Sequence, residues 1–140
     1  MEPAQPSPTA PAAVSDAVRT FLAAPRHAVL STIAADGAPH QAPIWYDLDG
    51  DDLVINSRRG RHWPRNLVRD GRLSLAIVDA DEPEHWVGIK GCAAFLRDGD
   101  AAIADIQSLA RRYGGDPDAF VGQDRVTFRV TIDSTFEYGA

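Results

Sequence analysis

The links between the first three β-rich runs of this chain are too short to hold a helix, and that restricts how its strands can pair. His27-Ala28-Val29-Leu30-Ser31-Thr32-Ile33 leads to the hairpin signal Asp36-Gly37, and Gln41 to Leu48 resumes as a second run. Asp49-Gly50-Asp51-Asp52 then turns the chain into Leu53-Val54-Ile55-Asn56-Ser57. Antiparallel strands can be joined by two residues, whereas a parallel pair needs a crossover of about a dozen or more. The pattern predicts three antiparallel strands in sequence, a meander.

Three more strands follow. Leu73, Leu75 and Ile77 alternate with Ser74, Ala76 and Val78, which reads as a strand buried on both faces. His85 to Leu96 is long for one strand and carries Gly88 and Gly91, a pattern expected of a bulge or a barrel corner. From Arg125 to Ile132, apolar Val126, Phe128, Val130 and Ile132 alternate with Arg125, Thr127, Arg129 and Thr131, giving one core face and one that is wet or holds a partner.

Helices are few. Val14, Val18, Phe21 and Leu22 have helical spacing, with Ser15 as cap and Pro25 as stop. Arg61 to Arg69 reads as a short helix. A longer one starts at Asp98 or Asp100, aligns Ile103, Ile106, Leu109, Ala110 and Tyr113, and ends at Gly114-Gly115. Six strands in hairpins with a few flanking helices make a mainly β fold, a small antiparallel barrel rather than a layered α/β sheet.

The chain has 140 residues, 44% of them apolar, which suits a single domain. Residues 1–14, rich in Pro and Ala, read as a disordered tail, with no basic and apolar leader pattern, and residues 15–140 as the domain. No apolar run approaches the roughly 20 residues of a membrane span. The lone Cys92 cannot form an internal disulfide, so a cytoplasmic location is expected, and thirteen arginines against one lysine suit a GC-rich bacterial genome.

Charge is unevenly spread. The formal net charge is -6, yet six of the fourteen basic residues lie between Arg58 and Arg72, with no acid from Arg58 to Arg69. An acidic chain with one basic cluster is not built for nucleic acid, whose binding needs many phosphates neutralised. Strand, turn and helix start form a place where a small anion can meet free N–H groups and guanidinium forks. A solvated basic face is the structural alternative.

Other features divide between packing and chemistry. Trp45 and Tyr46 are adjacent on a strand, so one faces the core and the other is free to line a site. Trp63 and Leu67, four apart, are expected to seat the basic helix on the barrel. His27, His40, His62 and His85 lack metal-ligand spacing, and no metal is expected. Asp79, Asp81, Glu82 and Glu84 read as a solvated turn, and Cys92 as a small buried residue.

The ordered set Leu30 to His40, Pro43-Ile44-Trp45-Tyr46-Asp47, Asp51 to Ser57, Arg61 to Asp70 and the strand around Gly91 resembles the pyridoxamine 5'-phosphate oxidase-like split β-barrel proteins. Within them it is most similar to the flavin/deazaflavin oxidoreductases that use the deazaflavin F420. The resemblance covers about residues 16 to 138. It implies a homodimer with the cofactor in a groove at the interface. Ser57, Arg58, Arg61, Arg65 and Asn66 would hold the phosphate-bearing tail, and Pro43, Ile44, Trp45 and Tyr46 would lie near the ring, approached by Lys90 and Gly91. The activity implied is hydride transfer between F420 and a small organic acceptor, with Tyr46 as the candidate proton donor. FMN in the same groove, or a cofactor or tetrapyrrole bound without turnover, are the alternatives. Relatives often carry a lysine three residues before the Asn66-Leu67 pair, where this chain has Trp63.

Overall fold

The structure, a computed structural model, describes residues 14–139. The expected tail lies outside that range except for Val14, which is buried in the core. Helix α1 (Asp16–Ala23) is capped by the Ser15 hydroxyl, which accepts the Val18 N–H at 3.2 Å. Strands β1 (Ala28–Ile33), β2 (Pro39–Ile44), β3 (Asp47–Asp49) and β4 (Asp52–Arg58) follow, then α2 (His62–Arg69), β5 (Arg72–Val78) and β6 (Trp86–Asp98). Helix α3 (Gly99–Tyr113), a 3-10 turn at Pro117–Phe120 and β7 (Arg125–Tyr138) complete the chain. All strands pair antiparallel in one sheet of order β2-β1-β5-β6-β7-β4-β3. Among the described residues no helix is long and apolar enough to cross a membrane.

The mainly β barrel expected from the sequence is present, with seven strands instead of six and without the meander. The run Gln41 to Leu48 breaks at Trp45-Tyr46, so the β1–β2 and β3–β4 hairpins lie at opposite ends of the strand order. The cause is visible in the backbone of Tyr46. Its N–H donates to the Tyr113 hydroxyl at 3.3 Å, and its carbonyl accepts from the Arg112 Nε at 3.0 Å, so helix α3 takes the groups a strand partner would need. Ile44 and Asp47 can be no more than about 11 Å apart. A link that short between opposite edges makes the sheet curl on itself.

Inside the curl lie Leu30, Leu53, Ile55, Ile77, Val87, Phe128 and Val130, all almost fully enclosed. Strand β5 buries Leu73, Leu75 and Ile77, whereas Ser74 and Ala76 are half-buried and Val78 is exposed. Its second face is therefore open in the single chain, contrary to the expectation of burial on both. Cys92 is exposed rather than buried, because it shares the outward parity of Lys90 while Gly91 and Ala93 point inward. Trp63 and Leu67 are buried and seat α2 as expected.

The bulge expected around Gly88 and Gly91 occurs as a register shift between Lys90 and Gly91, which leaves Asp133 of β7 as the extra residue. A second shift follows between Phe95 and Arg97. At Gly91 the two backbones come so close that an added Cβ would collide with the Thr131 carbonyl oxygen and press on Val130 Cγ1 at 3.3 Å. Gly91→Ala is expected to destabilise the fold by about 2–3 kcal/mol, read as a lower denaturant midpoint at unchanged slope. An unchanged midpoint would show that the strands separate there at no cost.

Candidate functional site

Gly60, at φ 93, occupies a left-handed conformation that only glycine adopts without strain, and there the chain reverses from β4 into α2. The reversal lets the end of β4 and the start of α2 face the corner at Trp45. Between them is a cavity of about 380 Å³ lined by His27, Pro43, Ile44, Trp45, Asn56, Ser57, Arg61, Trp63, Ile106, Phe120 and Arg125. One wall is flat and apolar. Trp45 stacks on Tyr113 at 5.1 Å between ring centroids and 10° between planes, and it meets Phe120 edge-on at 6.4 Å. Asn56, Ser57, Arg61 and Arg125 add cationic and polar groups to the same lining.

Arg125 supplies most of that character. It is buried at 8% exposure, its Nε donates to Asn56 Oδ1 at 2.8 Å and its Nη1 donates to Gln123 Oε1 at 2.7 Å. Among the described residues no carboxylate pairs with it, nor with Arg61. Burial, followed by repulsion from Arg61 and Arg58, pushes its guanidinium down from the usual arginine range to about 10. A buried cation beside like charges is costly unless an anion joins it.

The basic cluster does not act as one unit. Arg59 pairs with Asp98 at 2.6 Å and Asp124 at 3.1 Å. Arg72 pairs with Asp70 at 2.7 Å, and that hydrogen bond holds the Asp70 carboxyl down to about 2. Arg65 lines a separate cavity with Asp36, His62 and Arg69, and Arg58 is exposed at the end of β4. Asn66 is buried, donates from Nδ2 to Thr32 Oγ1 at 3.0 Å and accepts from Arg69 Nη2 at 2.7 Å, so it ties α2 to β1. Of the expected tail-holding residues, Ser57 and Arg61 reach the cavity and Arg58, Arg65 and Asn66 do not.

The expected ring-side residues also separate. Pro43, Ile44 and Trp45 line the cavity, while Tyr46 points the other way and is fully buried. The Tyr46 hydroxyl lies 3.2 Å from the Leu22 carbonyl and 3.1 Å from that of Ala24. Its proton is thus committed to the end of α1, which corrects the expectation of a proton donor. Burial is the main cause that raises its pKa to about 12. Lys90 and Gly91 line other cavities, on the outer face of the sheet with Ser31 and Ser74.

These facts make Tyr46 testable as a structural residue. Its folded pKa lies above the usual 10.0, so its contribution is full below pH 10 and is lost as pH rises toward about 12. Tyr46→Phe is expected to cost about 1 kcal/mol at neutral pH, to remove that part of the alkaline loss, and to leave ligand affinity unchanged. A large affinity change in a normally folded variant would return Tyr46 to the site.

Sequence reasoning missed Asn56, Phe120 and Arg125 as cavity residues. Trp63, set down as a helix anchor, packs on Phe128 with centroids 6.0 Å apart and also closes one side of the cavity. The position that resemblance gives to a lysine is therefore filled by an indole, and a buried cation enters from β7 instead. Elsewhere, ligand atoms of Asp79, Glu82 and His85 lie within 4.8 Å of one another, and Arg26 Nη1 stands 3.3 Å from Asp79.

Comparison with known proteins gives a consistent frame. An F420 reductase superposes with a TM-score of 0.76 at 24% identity, covering 88% of this chain and 98% of that one. A conserved hypothetical protein of Mycobacterium tuberculosis gives 0.74 at 25%, covering 89% and 84%. The heme storage protein of Vibrio cholerae gives 0.70 at 18%, covering 91% and 96%. None of the curated proteins matches. The sequence profile of the pyridoxamine 5'-phosphate oxidase family matches residues 14–138, nearly the whole described chain, and this protein belongs to that family.

Proposed function

We propose that this protein is an F420-dependent oxidoreductase that transfers a hydride between the deazaflavin and a small organic acceptor. One observation carries the reading: two arginines that have no carboxylate partner among the described residues line the same cavity as a tryptophan stacked on Tyr113. That donor set fits a planar ring with an anionic tail. Arg61, Arg125 and Ser57 would hold the tail, and Ile44 and Trp45 would form the bed for the ring and exclude water from it. When bound, the deazaflavin supplies the hydride chemistry. The fold shared with an F420 reductase is consistent with this reading, and FMN, whose tail is also anionic, is the alternative in the same cavity.

A homodimer belongs to the same reading. The outer face of β1, β5, β6 and β7 carries exposed Val29, Val78, Phe136 and Tyr138 around a trough that reaches Trp86 and Lys90. A second copy would cover these side chains. Light scattering of the purified chain should give twice the mass of one chain.

A second reading is a carrier for heme or another tetrapyrrole, favoured by the His27 imidazole in the cavity wall and by the fold shared with the heme storage protein. Equilibrium titration with F420, FMN and hemin decides. F420 should bind tightest, and the reduced form should be oxidised when a quinone or enone is added. Tight hemin binding with no affinity for F420 would overturn the proposal.

A further inference from the structure

The way Arg125 is held has a feature that packing alone does not require. Asn56 Nδ2 has two hydrogens, and both are used: one donates to the Ala102 carbonyl at 2.9 Å, the other to Thr127 Oγ1 at 2.8 Å. The Thr127 hydroxyl in turn donates to Asp105 Oδ2 at 2.7 Å, and Asp105 is fixed by Arg97 at 2.6 and 3.1 Å. With its amide nitrogen committed, Asn56 presents only Oδ1 to the Arg125 Nε. A flipped amide would set donors against donors, so the side chain has one orientation.

The acid of this chain, Asp105, stands at its far end, separated from Arg125 by two neutral side chains. Asn56 grips the guanidinium by a strong hydrogen bond without cancelling its charge. One further N–H of Arg125, on Nη1, goes to the neutral Gln123 Oε1 at 2.7 Å, and the rest remain for the cavity, where Arg61 adds a second positive charge. An aspartate in the same place would pair with Arg125 and leave the cavity with about half its charge.

We propose that Asn56 is the positioning residue that sets the anion selectivity of the cavity: held by Thr127 and Asp105, it orients Arg125 with its charge intact, so that the site prefers a polyvalent phosphate or pyrophosphate group over a monovalent anion. The inference rests on reading the cavity as an anion site, but not on which cofactor bears the anion. Attraction grows with ligand charge, so a change at Asn56 weighs more on pyrophosphate than on nitrate.

Calorimetric titration of the purified chain with pyrophosphate and with nitrate tests this. Wild type should prefer pyrophosphate. Asn56→Asp and Arg125→Gln should each weaken pyrophosphate about tenfold or more with little effect on nitrate. Thr127→Val should weaken it several-fold and Thr127→Ser, which keeps the hydroxyl, should restore it. The threonine pair decides the matter even if Asn56→Asp does not fold. Pyrophosphate binding at wild-type strength in a folded Asn56→Asp or in Thr127→Val would overturn the proposal, as would a wild type that binds no pyrophosphate. The expected pattern in a protein that binds neither F420, FMN nor hemin would uphold this inference and sink the functional reading instead.

Discussion

Arg112→Met is expected to lower the unfolding free energy by about 3–4 kcal/mol, among the largest losses available to a partly exposed residue. The guanidinium donates to the carbonyls of Leu22 at 2.9 Å, Ala23 at 2.9 Å, Ala24 at 3.2 Å and Tyr46 at 3.0 Å. Three of these belong to the last turn and cap of α1, whose carbonyls have no helical partner. The fourth belongs to the corner where β2 ends. One side chain of α3 thereby closes a helix end and holds the link between two strands, and the Tyr46 ring stands 5.3 Å away. Methionine retains the packing volume and leaves those carbonyls with fewer donors. Lysine should recover only a small part, since a point charge on a flexible stem cannot serve four acceptors in a fork. Chemical denaturation of the three proteins measures both values, and a loss under 1 kcal/mol for methionine would remove Arg112 from this role.

Arg125→Met is expected to act in the opposite direction on stability. Replacing a buried, unpaired cation by an apolar side chain of similar size should leave the fold unchanged or raise its stability by about 1–3 kcal/mol. Ligand affinity should fall by about 1.5–3 kcal/mol for the charged hydrogen bond lost. The sign with pH follows from the lowered pKa. The folded guanidinium holds its proton less tightly than the unfolded one, so the penalty is fully present below about 10 and fades as pH rises above that. At neutral pH the stability gain of the variant is therefore constant. Thermal melts and titration on the same samples check both halves, and a variant that is less stable and binds normally would contradict the account.

The legible and illegible parts of this molecule divide by range. Turn chemistry at Asp36-Gly37 and Asp49-Gly50 is local, and it gives the hairpins of a mainly β barrel correctly. The Ile106 and Leu109 stripe and Gly114 are local too, and α3 falls where they place it. Trp45 and Tyr46 do face opposite ways, but they sit in the break between β2 and β3 and not on a strand, and the choice of face depends on α1 and α3, which lie far off in sequence. Arg125 reads as an outward member of an alternating strand. Its burial comes from Phe120, whose ring lies 5.0 Å below the guanidinium, and from contacts to Asn56 and Gln123, none of which alternation encodes. The arginine density around Arg61 gave the right neighbourhood, while Asp98 and Asp124, which take Arg59 out of it, come from distant places in the chain, and Asp70, which takes Arg72, stands two residues from it.

The place of β7 in the sheet bears on how the chain reaches this state. It follows every other strand in sequence yet lies between β6 and β4, so it joins two pieces that do not otherwise touch edge to edge. Hairpins close in about 1–10 μs, but a pairing such as Leu53 with Val130 must wait for nearly the whole chain. During synthesis on the ribosome, β6 and β4 each present a bare edge until residues 125–138 have emerged, and that interval is when a nascent chain of this protein is most exposed to pairing with its neighbours.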